Sequence, residues 1–388
     1  MIKQITELVD HIKNELVELS EYIRMNPELG SEEYKASMAH INLLRKHGFQ
    51  VEEEYMGLKT AFKATYDSGK PGPAVAFMSE YDALPKIGHG CGHNILGATS
   101  TGAGIVLSKV IKDLRGKVVV YGTPAEETNG AKVEMTDRGA FHDIDVALEA
   151  HPADKHHESG SSLAMEALQF TFEGKPAHAA AYPEKGINAL DAAINTFVNI
   201  NALRQHILPS ARIHGIITEG GKAANIVPDL AVAQFYVRAE TKYYLTELVE
   251  KVKNCARGAA LAAGAQLEIT NYEVSFDNLV TNQTLMGIYS QRLTDMGVDK
   301  IYSHRQGVGS LDAGNVSHVV PTIHPYFGIC EGEEIPAHTK EFEAATVTPY
   351  AHRSMAYTVG ALALTAIDVI TDEDLLSRIK VEFQNTEK

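Results

Sequence analysis

Cysteine is scarce in this chain. Cys91, Cys255 and Cys330 are the three among 388 residues, and they show no pairing pattern. That excludes a disulfide framework and points to a reducing compartment. Cations are in the minority too, with 35 Lys and Arg against 50 Asp and Glu, a formal net charge of -15 and a pI near 5.6. Nucleic acid and anionic membranes reward clustered Lys and Arg, so neither is expected as a partner. A small anionic substrate stays open, because one local Arg can hold a carboxylate. Long apolar runs are missing as well: "MAYTVGALALTAIDVI" is too short to span a bilayer, carries Asp368, and reads as a buried helix. At the N-terminus, Ile5, Leu8, Val9, Ile12, Leu16, Leu19 and Ile23 recur at helical spacing among acids and lysines. That pattern is an amphipathic helix and not a signal peptide. Internal repeats and low-complexity tracts are absent. The expectation is a soluble cytoplasmic protein.

What is present suggests two domains, since 388 residues exceed one comfortable core. "PAVAFM" (73–78), "KVVVYG" (117–122) and "IDVALEA" (144–150) are continuous apolar runs, as expected of strands buried on both faces. Residues 94–114 between the first two form a helix pattern, so the fold class is α/β with a mixed, largely parallel sheet. From about residue 162 the pattern changes to strand, helix, strand, strand, helix, and a last strand in "AQLEITNYEVSF". That β-α-β-β-α-β order is ferredoxin-like. The expected division is a catalytic domain of residues 1–161 and 277–388, with an inserted α+β domain of residues 162–276.

Chemistry-bearing residues follow all three buried strands, where ligands bind in open α/β sheets. After the first comes "YDALPKIGHGCGHN", with Asp82, Cys91 and His93. Thiolate and imidazole are both good ligands for zinc-like ions, and Gly90 and Gly92 would let the two side chains converge. Cys91 could equally be a small buried residue or a nucleophile served by a histidine. After the second strand comes "TPAEETNGAK" with Glu126 and Glu127: one carboxylate could bind a metal while the other faces a water, or the pair could be a solvated turn. After the third comes His151, and far downstream "GEEIPAHTKEF" places His338 in a polar loop that alone reads as surface.

Together, "YDALP…GHGCGHN", "TPAEETNGAK", "DVALEAHP", "GKPAHAAAYPEKGINALDA" and "HTKEF" resemble the M20 family of metallopeptidases. Within it they resemble the amidohydrolase and aminoacylase-like branch that includes p-aminobenzoyl-glutamate hydrolase subunits. The resemblance covers nearly the whole chain. It implies an inserted lid that also mediates homodimerisation. It implies two divalent metal ions, zinc being favoured by the thiolate over manganese or cobalt. Cys91 would bridge them, His93 and His151 completing one site and Glu127 and His338 the other. Glu126 would be the general base and Asp82 would orient a histidine ligand. His178 would reach the partner subunit's site to stabilise an oxyanion, and Asn225 and Arg238 would hold the substrate carboxylate. The glycine-rich stretch 306–322 resembles a segment near the substrate. Relatives commonly have aspartate where this chain has Asn94, which puts the tuning of the metal site in question. The expected activity is hydrolysis of the amide bond in N-acyl amino acids or dipeptide-like substrates. A cysteine-nucleophile hydrolase and a non-catalytic binding protein of the same fold are the alternatives.

Overall fold

The structure, a computed structural model, describes residues 1–304 and 309–388. Helix α1 (Ile2–Met25) forms where apolar residues recur every three or four positions, and it buries Ile5, Val9, Ile12, Leu16, Leu19 and Ile23. After α2 (Tyr34–Lys46), the antiparallel pair β1 (Gln50–Glu53) and β2 (Phe62–Asp67) starts a sheet. The apolar runs follow as β3 (Ala74–Ser79), β4 (Lys117–Gly122) and β5 (Val146–Leu148), with β3 parallel to both others. Val75 and Phe77 of β3 enter one core, Ala76 and Met78 another. Two covered faces explain why these runs show no polar alternation. Helix α3 (His93–Ile111) links β3 to β4 and is buried almost end to end. Its close approach depends on Gly97, where a Cβ would meet the Glu80 carbonyl oxygen at 2.5 Å. Helix α4 (Ala131–Asp137) leads on to β5, and β6 (His151–Ala153) begins after two intervening residues.

Ser162–Asn278 is the main part of a second compact unit. Its elements run β7 (Ala164–Glu173), α5 (Ala189–Leu203), β8 (Arg212–Glu219), β9 (Leu230–Ala239), α6 (Lys242–Ala263) and β10 (Gln266–Asn271). The sheet order is β10-β7-β9-β8 with every neighbour antiparallel, the ferredoxin-like arrangement expected from the pattern. Both helices start at side-chain caps: Asn188 accepts from the Leu190 and Asp191 amides, and Thr241 from the Tyr244 amide. The last strand ends at Asn271, earlier than "AQLEITNYEVSF" suggests.

The chain then returns to the first unit through α7 (Gln283–Asp295) and α8 (Ala313–Ser317). Strand β11 (Thr322–Ile323) pairs parallel with β5, completing the order β1-β2-β4-β3-β5-β11, and β12 (Tyr326–Gly328) pairs parallel with β6. Helices α9 (Lys340–Ala345), α10 (Pro349–Thr371) and α11 (Glu373–Asn385) finish the chain. Among the described residues, α10 alone is long and apolar enough to cross a membrane. Its apolar window is 78% buried in this unit, the behaviour of a core helix.

Candidate metal centre

Because β4, β3 and β5 are parallel neighbours, their carboxyl ends lie on one edge of the sheet, and the motif residues meet there. The ligand atoms of Cys91, His93 and His151 fall within 4.8 Å of one another. So do those of Cys91, Glu127 and His338, and those of His93, Glu126 and Glu127. The first two groups share the Cys91 sulfur. His338, the least promising of these residues in the sequence, reaches Glu127 Oε1 at 3.2 Å from Nε2. Its loop is anchored by its own amide, which donates to the Gly90 carbonyl at 2.8 Å. His151 is the first residue of β6 and not part of a loop.

Hydrogen bonds fix the tautomers of both histidines in the first group. His93 Nδ1 faces the Asp82 carboxylate at 2.9 Å and the Asp82 carbonyl at 3.1 Å, both acceptors, so Nδ1 carries the proton. His151 Nδ1 faces the Pro152 carbonyl at 2.8 Å and must donate too. Each ring therefore donates from Nδ1 and leaves Nε2 as the atom that would bind a metal once it carries no proton. Among the described residues His93 Nε2 makes no well-formed hydrogen bond, and His151 Nε2 lies 3.6 Å from Cys91 Sγ. This donor set, thiol plus imidazoles plus carboxylate, fits a pair of divalent ions.

The charges around it are uneven. Burial, with the charges of Glu80 and Asp312, holds the Glu126 carboxyl well above the usual range. Burial acts on Glu127 in the same direction, yet the bond to His338 and the charge of His93 bring it down to about 2. Burial also pushes the Cys91 thiol far up. Asp82 has a second task that its motif does not reveal: its other oxygen accepts the Glu127 amide at 2.9 Å. Behind the ligands, fully buried Lys132 sits between Glu80 (2.5 Å), Asp312 (2.8 Å) and Glu149 (3.6 Å). Glu80 in turn lies 3.1 Å from His93 Nε2. Asn94 donates to the hydroxyls of Ser20 and Thr346, tying α3 to its neighbours.

In the second unit, His178 Nδ1 accepts from the Ala180 and Ala181 amides, so its exposed Nε2 carries a proton. Asn225 is adjacent, its carbonyl accepting from the Ala179 amide at 3.0 Å. Arg238 donates from Nη1 to Ser310 at 2.9 Å and lies over the Tyr236 ring. Asn225 lies five residues before β9, and Arg238 is the last residue but one of that strand. The segment 306–322 falls partly outside the described residues.

The chain is 37% identical to the Xaa-Arg dipeptidase of Mus musculus over 402 residues, covering 98% of this chain and 92% of that protein. The chain belongs to the M20 peptidase family. Residues 166–263 match its peptidase dimerisation domain. One p-aminobenzoyl-glutamate hydrolase polypeptide of Escherichia coli is 26% identical, covering 98% of this chain and 94% of that one. Among solved structures, a dinuclear metal-binding M20 peptidase from Bacillus subtilis superposes with a TM-score of 0.68 at 20% identity, covering 92% and 99% of the two chains. The chain is thus an M20 amidohydrolase. Reading the sequence does not single out Glu80, Lys132, Glu149 or Asp312. The one available signal is position, since Glu80 and Glu149 immediately follow β3 and β5.

Proposed function

We propose that this M20 chain hydrolyses the amide bond of dipeptides or N-acyl amino acids bearing a free carboxylate. It would use two divalent ions, one held by Cys91, His93 and His151 and the other by Cys91, Glu127 and His338. The observation that carries this reading is the pair of three-residue clusters sharing one thiol. When bound, such a pair would polarise the scissile carbonyl and lower the pKa of a water. Glu126, whose raised carboxyl can keep a proton once it has taken one, would accept the water's proton and pass it to the leaving amine. His178 would donate from Nε2 to the developing oxyanion, a contribution of about 3 kcal/mol for a preorganised donor. The match of residues 166–263 to a dimerisation domain supports a two-chain site, in which a second copy supplies His178 and the adjacent Asn225 while Arg238 forks onto the substrate carboxylate. A cysteine nucleophile is poorly served here, because a reactive thiol needs a lowered pKa and burial raises this one.

The test begins with metal content. About two divalent ions per chain, with activity lost to chelator and regained on re-addition, is the expected result. The name of the mouse relative makes Xaa-Arg dipeptides the first substrates to assay. Activity indifferent to chelator but abolished by thiol alkylation would replace the proposal with the nucleophile reading. Glu126→Ala should keep its metal and lose turnover by about 10²–10⁴-fold. Mixing it with His178→Ala, itself inactive, should restore about a quarter of wild-type activity in dimers that pair one sound site with one sound lid. No recovery on mixing would mean that His178 acts within its own chain or not at all.

A further inference from the structure

Ala125 stands immediately before Glu126 and Glu127, and its φ is +62°, a region that residues with a Cβ rarely occupy. Its carbonyl accepts from the Gly130 amide at 2.7 Å and the Thr128 amide at 3.2 Å, which closes the turn from one side. From the other side its own amide donates to Glu33 Oε1 at 2.8 Å. Glu33 is fully buried, and its second oxygen accepts from the Thr60 hydroxyl at 2.8 Å. It comes from the loop between α1 and α2, remote in sequence from every metal-type motif. The loop can lie against the turn because of Gly30, where a Cβ would fall on Thr128 Oγ1 and come within 3.2 Å of both Ala125 Cα and Cβ. One residue past Glu126, the Glu127 amide is held by Asp82. Two buried carboxylates therefore grip the amides on either side of Glu126.

We propose that Glu33 is a positioning residue, which holds Ala125 in its left-handed conformation and so aims the Glu126 and Glu127 side chains at the metal cluster. The role rests on the two-metal reading, since it is those two carboxylates that are being aimed. Glycine enters the left-handed region freely, so the need for Glu33 should shrink if Ala125 becomes glycine.

The experiment measures zinc affinity by competition with a chelating dye, together with kcat and Tm, for a set of variants. Glu33→Ala is expected to weaken zinc binding about 10–100-fold, the usual scale for loss of support behind a ligand. Glu33→Gln, which can still accept from Ala125, should stay within about threefold of wild type. Glu33→Ala with Ala125→Gly should recover most of the lost affinity, although its Tm need not recover. A general packing defect would not be repaired by that second change. A double variant no better than Glu33→Ala, or a folded Glu33→Ala with wild-type zinc affinity, would overturn the inference. If Glu33→Ala does not fold, Gly30→Ala takes its place. It keeps the carboxylate but pushes the loop off the turn, and unchanged zinc affinity there would be equally fatal. Should wild-type protein itself bind no zinc, the two-metal reading fails first, and the variants are then not the cause.

Discussion

At Cys91, burial keeps the thiol protonated in the metal-free protein. Burial opposes a proton on His93, but the charges of Asp82, Cys91 and Glu80 outweigh it and hold that imidazole well above its usual range. Both groups must lose protons to act as ligands, so divalent-ion affinity should rise steeply with pH across roughly 6 to 8. Titrations giving the same affinity throughout that range would remove these two residues from the ligand set. Asp82 allows a sharper test. It accepts from two donors, His93 Nδ1 and the Glu127 amide. An asparagine there must point its NH₂ at one of them, so Asp82→Asn should weaken metal binding by about 10–100-fold with little change in secondary structure. Affinity within about twofold of wild type, by calorimetry, would show that neither contact matters. The ligand-type residues could be picked from the sequence because each stands just past an apolar run. Lys132 and Glu33 could not. Their meaning lies in Asp312 and Ala125, 180 and 92 positions away, and no local pattern distinguishes a lysine that will be buried.

Elements with strong periodicity were readable, and those defined by their partners were not. β3, β4 and α1 declare themselves by apolar runs or spacing, whereas β1 is four mostly exposed residues that become a strand only by pairing with β2. β6 and β12 are three residues each and exist through each other. The most consequential element is β8, an edge strand whose outer side pairs with nothing among the described residues. It leaves Ile216 62% exposed, and α5 leaves Val198 56% exposed. An apolar open edge is an invitation to pair with a second copy, which a charge would refuse. If two copies pair through this edge, as the proposed two-chain site requires, Ile216→Lys combined with Val198→Lys should shift sedimentation from dimer to monomer. Activity should fall with it if His178 serves a second chain. A double variant that stays dimeric would place the interface elsewhere.

For the whole molecule, the closing of the core around neutral histidines sets its tolerance to acid. His40 is the clearest case: it is fully buried against Tyr81 and Phe62, its Nδ1 bonds Thr101 at 2.8 Å, and Nε2 has no hydrogen-bond partner among the described residues. Burial lowers its pKa from 6.5 to about 3. Between those values the unfolded chain binds a proton that the folded chain refuses. The stability tied to His40 is therefore complete above pH 6.5 and lost as the pH falls toward 3. At pH 5, that difference amounts to about 2 kcal/mol from this one residue. Denaturant unfolding of wild type should thus show a marked fall in stability between pH 7 and pH 5. His40→Gln cannot take up the proton in either state. It will be less stable than wild type at pH 7, where the ring's packing is lost, yet its decline toward pH 5 should be shallower by about 2 kcal/mol. The two curves would approach each other as the pH drops. Parallel curves would mean that His40 is protonated as easily in the folded chain as in the unfolded one, and that the acid sensitivity comes from the carboxylates.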